Sequence, residues 1–452
     1  MRVRTIRRPE FALAVFTLFT LLAGQFWRNT IGWYGFGAIV AVLLAVYMTL
    51  LIKHRYTFRH RGFPLTLLVF LGWATASLIW SAYPATTALA LAVLFATTIG
   101  AFGLAYLMPW STFVRALSYA LRTIIGLSLL FEVWVALVVH HPIMPFFKTP
   151  NYSRDLPETY WSAGTIFEGA PIQGILGNRN LTAFVALLAM VVVAIQLADK
   201  VISRLSGITW LVLIVATFAL TQSLTVVFAG LLVLILGLFA QWARHRGDGR
   251  HRLVYGVGIL SIGGLVGIAL SAGPIISNIL GRNPDFTGRT WIWTLTIRLW
   301  QERPVGGWGW ISYWAPWVKP FKDMVVIHSI MYLQAHSAWL DVLMQLGLVG
   351  FICFVVFIIT ALWRAWFRAV DRPRWDINAD QPFVAMHMLP LFLLACLLAQ
   401  SFVESRMLIE GGWALLVICA VATKLPDTLN EHPRLIPARV RLHPVASNKM
   451  SS

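Results

Sequence analysis

Apolar runs of about 20 residues recur along this chain, separated by shorter polar segments. A helix needs about 20 apolar residues to cross the hydrocarbon core of a bilayer, so each run indicates a membrane span. The pattern predicts an all-α polytopic membrane protein with about twelve transmembrane helices. These spans lie near residues 10–27, 35–52, 64–81, 87–108, 121–139, 180–198, 207–222, 224–242, 254–272, 338–362, 383–402 and 411–424.

Two longer polar intervals interrupt the spans, at residues 140–179 and 273–337. The second is expected to contain short amphipathic helices, one of them capped by Thr287 and lying along the membrane interface. Its apolar face is predicted to carry Trp293, Ile297 and Trp300. Residues 1–424 are predicted to form a single transmembrane domain, and residues 425–452 a disordered cytoplasmic tail.

Composition agrees with a membrane protein. Hydrophobic residues make up 58% of the 452 positions and charged residues 12%, which is more apolar material than a soluble core could bury. Cys353, Cys396 and Cys419 fall inside predicted spans, so no exported disulfide framework is expected.

Basic residues are unevenly distributed between the two sides of the membrane. Alternate segments, counted from the N terminus, carry 25 of the 36 Lys and Arg residues. Cytoplasmic loops retain Lys and Arg, so both termini are predicted to be cytoplasmic and both long intervals external. The net charge of +18 is therefore interpreted as a topology signal and not as a sign of nucleic-acid binding.

Two arginines are candidates for binding an anion. Arg289 lies at a predicted helix start, where the helix N terminus and a guanidinium both favour an oxyanion such as phosphate. Arg179 is placed similarly at the external mouth of the sixth span, and together the two could clamp a pyrophosphate. The alternative is that they are interfacial arginines reaching lipid head groups.

His336 lies at the external start of the tenth span, where an imidazole could accept a proton from a hydroxyl. The alternative is a satisfied interfacial histidine. Glu404 and Arg406, between the last two spans, add a carboxylate and a cation on that side. Their alternative is a weak surface ion pair.

Aromatic and metal-binding residues give weaker indications. The external histidines lack ligand-like spacing and no external D-x-D motif occurs, so no metal is expected. Seven tryptophans of the second interval could stack on sugars, although an aromatic belt at the membrane interface is favoured for most. They are Trp291, Trp293, Trp300, Trp308, Trp310, Trp314 and Trp317.

Several motifs resemble the signature region of the O-antigen ligase and O-antigen polymerase superfamily. The resemblance covers about residues 170–424 and differs at Leu224, where the family often has arginine after the serine. The motifs are TGRTWIW, RPVGGWGW and AHSAWLDVLMQLGLVG, with GILGNRNLTA and SFVESR as flanking elements.

This resemblance implies a GT-C-like fold and a metal-independent glycosyltransferase without a cofactor. Members move a glycan from undecaprenyl diphosphate to an acceptor hydroxyl at the outer face of the cytoplasmic membrane, in surface polysaccharide biosynthesis. Arg289 and Arg179 would hold the diphosphate, and His336 would activate or orient a glycan, lipid or protein acceptor. Further substrate-binding candidates are Asn180, Glu404 and Arg406.

Other functions remain open at this point. Ligase, polymerase and protein O-oligosaccharyltransferase share the donor and differ in the acceptor. A secondary transporter or a non-enzymatic role in envelope assembly is the alternative from another class. A transporter places polar groups near the middle of the membrane, where Glu132 is the one clear charge in the predicted spans.

Overall fold

The computed structural model describes residues 7–54, 63–147, 159–245, 286–322, 324–327, 330–371 and 384–424, with residues 256 and 264. Its regular structure is helical apart from strands β1 (Val326–Ile327) and β2 (Ile330–Met331), which pair antiparallel. The α-helices are α1 (Arg8–Leu22), α2 (Gly24–Lys53), α3 (Leu65–Ala76), α4 (Pro84–Leu107), α5 (Trp110–Trp134), α6 (Arg179–Ala198), α7 (Arg204–Thr221), α8 (Leu224–His245), α9 (Phe286–Glu302), α10 (Ala338–Trp366), α11 (Leu389–Ser401) and α12 (Glu410–Ala422).

Seven helices in the described part of the chain are long and apolar enough to cross a membrane. The predicted class, an all-α polytopic membrane protein, is confirmed. The span predicted at residues 254–272 and the tail at 425–452 lie outside the described residues, so a total of twelve spans stays a prediction. The seven are Gly24–Lys53, Pro84–Leu107, Trp110–Val139, Arg179–Ala198, Arg204–Thr221, Leu224–Ala243 and Ala338–Val370.

Helix α5 begins earlier than the apolar pattern indicated. The fifth span is predicted to begin at residue 121, but α5 is continuous from Trp110 to Trp134. Two arginines interrupt the apolar pattern at the start of this helix. A long arginine side chain can nevertheless be accommodated there when its guanidinium lies over an aromatic ring. The Arg115 guanidinium lies 5.6 Å from the centre of the Phe11 ring, and Arg122 lies over Trp210 at the same distance.

Glu132 is not the mid-membrane charge that its sequence position suggested. It lies in the last turn of α5 and is 1% exposed. Its carboxylate accepts from Ser162 Oγ at 2.7 Å and from the backbone N–H groups of Gln173 and Gly174 at 3.0 and 2.6 Å. It therefore ties α5 to the segment that leads into α6.

The polar connections gather at two ends of the helical bundle, because successive spans run in opposite directions. At the end where α2 and α4 finish, which we call the basic end, Asp199 accepts from the N–H groups of Ala385 and Met386 at 2.8 and 2.7 Å. At the end where α2 and α4 begin, the Tyr83 hydroxyl donates to the carbonyl of Gly309 at 2.9 Å. We call this the loop end, since both predicted long intervals join the helices there.

A break in α10 holds two of the sequence motifs together. Gly347 leaves the helical conformation with φ of 65°, and a side chain there would clash with the carbonyl of Val305. The N–H of Leu348 instead donates to the carbonyl of Pro304 at 2.8 Å. Backbone groups freed by the break are thus bonded to the RPVGGWGW segment, which fixes that segment against α10.

A second apolar core lies under the loop end, apart from the core between the spans. Trp314 is 1% exposed there and Trp310 is fully buried against Phe70, so the aromatic-belt interpretation is wrong for both. The segment folds back onto the helices and buries their rings, whereas Trp291 and Trp317 stay exposed. The core consists of Tyr83, Ile292, Ile311, Trp314, Ala315, Phe321, Val325, Ala335 and Met344.

Candidate active site

Arg289 lies in the first turn of α9, on its buried face. The side chain is 9% exposed, and Ile292 and Thr296, which follow it along the same face, are each 1% exposed. Because α9 begins at Phe286, Thr287 is the second residue of the helix and the predicted cap is wrong by two residues. The helix thus directs Arg289 toward the protein.

The predicted apolar face of α9 is also wrong. Ile297 is 38% exposed, so the stripe of Trp293, Ile297 and Trp300 is not the buried one. The tryptophans made this stripe look like the buried face, but their positions are set by hydrogen bonds of the indole N–H groups. Trp293 donates to the carbonyl of Ala335 at 3.0 Å, and Trp300 donates to the carbonyl of Pro304 at 3.1 Å.

Glu404 is the centre of a charged cluster between α9, α10 and the connection from α11 to α12. It is 8% exposed. Its Oε1 lies 3.4 Å from an Arg289 nitrogen, its Oε2 lies 3.2 Å from His336 Nδ1, and Gln334 Nε2 donates to Oε2 at 3.2 Å. The alternative of a weak surface pair with Arg406 is wrong, because Glu404 is buried and contacts Arg289 and His336. We call Arg289, Gln334, His336 and Glu404 the Glu404 cluster.

The charges around Glu404 keep it ionised. Burial alone would raise the pKa of this carboxyl, but the charges of His336, Arg289 and Arg406 outweigh burial and hold the pKa at about 2. An ionised Glu404 can accept a hydrogen bond from Nδ1–H of His336. That tautomer leaves Nε2 of the ring as a proton acceptor.

His336 is held in an unusual backbone conformation just before α10. Its φ is 50°, in the left-handed region that non-glycine residues seldom adopt. The ring packs edge-on against Tyr332, with centroids 5.7 Å apart. Strain of this kind is stored at functional sites when the surroundings over-determine the conformation. Here the carboxylate of Glu404 and the ring of Tyr332 fix the imidazole.

A second charged group adjoins the Glu404 cluster. Arg406 donates to the Tyr313 hydroxyl at 2.8 Å. Burial lowers the pKa of Arg406, but Tyr313, Glu410 and Glu404 outweigh it and raise that pKa, so the guanidinium stays charged. Glu410, at the start of α12, pairs with Arg28 of α2, which is 5% exposed. Through Arg28, helix α2 therefore contributes a side chain to this second charged group.

The N terminus of α6 lies beside this second group. Arg179 is the first residue of α6, whose cap Asn178 accepts from the N–H of Leu181 at 3.0 Å. Leu181 lines a small cavity together with Arg406. Asn180 accepts from Ser223 Oγ at 2.8 Å, which links α6 to the start of α8. The joint action of Arg179 and Arg289 on one ligand stays a prediction.

Several polar residues of the site were missed by sequence reasoning. Arg28 and Glu410 lie at span ends, where isolated charges are usually interfacial, and they pair across 382 positions of sequence. Gln334 and Tyr313 carry no sequence signal. Asp341, in contrast, is detectable as an acid only five residues after His336 in an otherwise apolar span.

Fold and site together define an integral membrane protein with a buried cluster of arginine, carboxylate and imidazole at one end of its helices. Residues 174–355 match the model of the O-antigen ligase family. This match confirms the predicted resemblance to the O-antigen ligase superfamily over these residues. A search of the curated proteins finds no match. The matched residues include Arg179, Arg289 and His336, whereas Glu404 and Arg406 lie beyond them.

The family implies a glycosyltransferase-like ligase activity in general, with a lipid-linked glycan as donor and a glycan as acceptor. Among the described residues, no group of three His, Cys, Asp or Glu side chains could hold a metal ion. Metal independence stays a prediction.

Proposed function

We propose that this protein transfers a glycan from undecaprenyl diphosphate to an acceptor hydroxyl at the outer face of the cytoplasmic membrane, without a metal ion. A GT-C-like fold with twelve spans and cytoplasmic termini is part of this proposal. The observation that carries it is the Glu404 cluster, in which a histidine is held by an ionised carboxylate beside a buried arginine.

The histidine is suited to the acceptor. With Nδ1–H bonded to Glu404, Nε2 can take the proton of an acceptor hydroxyl. The acceptor oxygen then forms a bond to the anomeric carbon of the glycan. The bond from that carbon to the diphosphate oxygen breaks, and undecaprenyl diphosphate leaves with the electron pair.

The arginines are suited to the donor. Among the described residues Arg289 gives one hydrogen bond, to Glu404, and a guanidinium has five N–H donors, so others are available to phosphate oxygens. Arg179 begins α6, where the helix N terminus also favours an anion. Preorganised cations stabilise the charge that develops on a departing diphosphate.

The positions of the buried charges favour an enzyme over a transporter. Glu132, Arg289, His336 and Glu404 all lie at the loop end, and Glu132 is occupied by three neutral donors. A transporter would need such groups near the middle of the membrane.

Deleting the gene and comparing lipid-linked with surface-attached glycans tests the proposed activity. Full-length polymer that accumulates on the lipid carrier indicates a ligase, and single-repeat products indicate a polymerase. Unchanged glycans on both the carrier and the surface would overturn the proposal. Purified wild-type protein should also transfer glycan from an undecaprenyl-diphosphate donor in the presence of a metal chelator.

Cysteine labelling in intact cells tests the orientation. In a variant without the three native cysteines, an impermeant thiol reagent should label Trp317→Cys at the loop end and not Lys200→Cys at the basic end, since retained basic residues mark the cytoplasm. The reverse pattern would place the site in the cytoplasm.

A further inference from the structure

We propose that Asp341 is the positioning residue of the active site: one buried carboxylate that sets the relative placement of the three segments carrying His336, Glu404 and Tyr313. This inference rests on the proposed glycan transfer, and it assigns a role to a residue that touches neither substrate.

Asp341 lies in the first turn of α10 and has no exposed surface. It accepts three hydrogen bonds from three different segments. Trp314 Nε1 donates to Oδ1 at 2.8 Å, the backbone N–H of Ala335 donates to Oδ2 at 3.2 Å, and the Ser405 hydroxyl also donates to Oδ2.

Each donor is the immediate chain neighbour of a residue of the site. Trp314 follows Tyr313, which binds Arg406. Ala335 precedes His336, and Ser405 lies between Glu404 and Arg406. A displacement of any donor by a fraction of an ångström is therefore transmitted directly to a site side chain through one peptide unit.

Burying the carboxylate of Asp341 costs free energy. A buried carboxylate loses its hydration and is tolerated only when hydrogen bonds satisfy it. Among the described residues the donors to Asp341 are all neutral, and two of them are side chains that could bond elsewhere. The arrangement joins connections that lie outside the regular helices, where helical hydrogen bonding cannot fix geometry.

Asp341→Asn tests the proposal because it keeps the size of the side chain and one oxygen acceptor. In either orientation its amide N–H₂ faces an N–H donor, that of Ala335 or that of the Trp314 ring, so the segment that carries this donor must shift. We expect kcat for transfer to fall at least about tenfold, since misplacement of a catalytic group by about 1 Å is costly. The donor KM should stay within about twofold, because Arg289 lies on α9, which gives Asp341 no hydrogen bond.

The matched control is Asp199→Asn. Asp199 also accepts from two backbone N–H groups, but at the basic end of the bundle. We expect it to lower thermal stability and leave kcat per folded protein unchanged. Asp341→Glu, which keeps the charge but moves it by one methylene, should not restore kcat if position is what matters.

Hydrogen–deuterium exchange gives a readout that does not depend on activity. In Asp341→Asn, exchange should accelerate in peptides covering residues 311–317, 333–337 and 402–409, and stay unchanged in those covering residues 180–198. Uniformly faster exchange, or an unchanged kcat with local acceleration, would overturn the positioning role. If wild-type protein transfers no glycan, the proposed function fails, and the exchange pattern alone then supports or overturns the role of Asp341 in joining the segments.

Discussion

Glu132 and Glu404 are both buried carboxylates at the loop end, yet their surroundings differ in kind. Glu132 is 1% exposed and is satisfied by a serine hydroxyl and two backbone N–H groups. Glu404 is 8% exposed and faces a guanidinium and an imidazole. Burial is similar, but one carboxylate meets neutral donors and the other meets charged or titratable groups.

We propose that this difference separates a structural carboxylate, Glu132, from a functional one, Glu404. Neutral donors on a neighbouring segment, as at Glu132, fix a loop through hydrogen bonds to the carboxylate. A carboxylate between an arginine and a histidine orients the ring and balances the charge of the arginine. Both partners keep donors or acceptors that none of the described residues is seen to use. Perturbed ionisation in such a cluster is an indicator of a functional site.

The largest effect is expected for His336→Ala. Transfer should fall about 100-fold or more while binding of the undecaprenyl-diphosphate donor is retained, since a general base acts on the acceptor hydroxyl. Donor-binding and single-turnover assays on the purified variant measure the two separately. His141→Ala is the control, because His141 is exposed at the loop end and bonds only to Pro142 among the described residues. Lost donor binding with an unchanged transfer rate at saturating donor would assign His336 to the other substrate.

Arg289→Lys should have the next largest effect. Lysine keeps the charge but cannot bind Glu404 and a phosphate oxygen through a planar fork, and losing a charged hydrogen bond of about 1.5–3 kcal/mol corresponds to about 10- to 100-fold in rate. Arg298→Lys, on the exposed face of the same helix, is the matched control. Arg179→Lys should behave like Arg289→Lys. Near-normal transfer by both would return these arginines to an interfacial role.

Much of the fold could be predicted from the sequence, because membrane spans depend on apolar length alone. The seven spanning helices overlap the apolar runs that predicted them, and most ends differ by a few residues. The span of α10 ends at Val370 and not at residue 362, α2 begins at Gly24 and not at residue 35, and α5 begins at Trp110 and not at residue 121. There Arg115 and Arg122 broke the apolar pattern while their guanidinium groups lay over aromatic rings within the fold. Charge at a span end is an ambiguous signal until its partner is known.

The candidate site was predicted in part for a similar reason. Arg289, His336 and Glu404 were each recognisable, but the contacts between them join residues 115 and 68 positions apart. Composition and periodicity describe faces and spans, not which loop meets which. For the same reason the sequence could not distinguish the buried Trp310 and Trp314 from the exposed Trp317.

Comparing the Glu404→Gln and Glu132→Gln variants tests the proposed distinction between the two buried carboxylates. Glutamine at position 404 cannot balance the charge of Arg289, so kcat should fall about tenfold, the equivalent of a charged hydrogen bond of about 1.5 kcal/mol. Glu132→Gln should lower thermal stability and leave kcat per folded protein unchanged. An equal fall of kcat in both variants would remove the distinction between the two carboxylates.

The smallest expected effect is on stability in acid. The folded-state pKa of Glu404 is about 2, below its ordinary value of 4.5, so its ionisation stabilises the fold above about pH 4.5 and that contribution is lost as the pH falls toward 2. Thermal unfolding of the wild type and Glu404→Gln, followed by tryptophan fluorescence in the same detergent, measures this contribution directly.

The wild type should be more stable at pH 7, because the variant leaves Arg289 buried without its counter-charge. Each kcal/mol of that difference corresponds to about 2–4 °C in a chain of a few hundred residues, and the difference should narrow between pH 5 and pH 3. Other acidic groups titrate equally in both proteins, so a difference that stays constant across this range would show that Glu404 gains no stabilisation from its cationic neighbours.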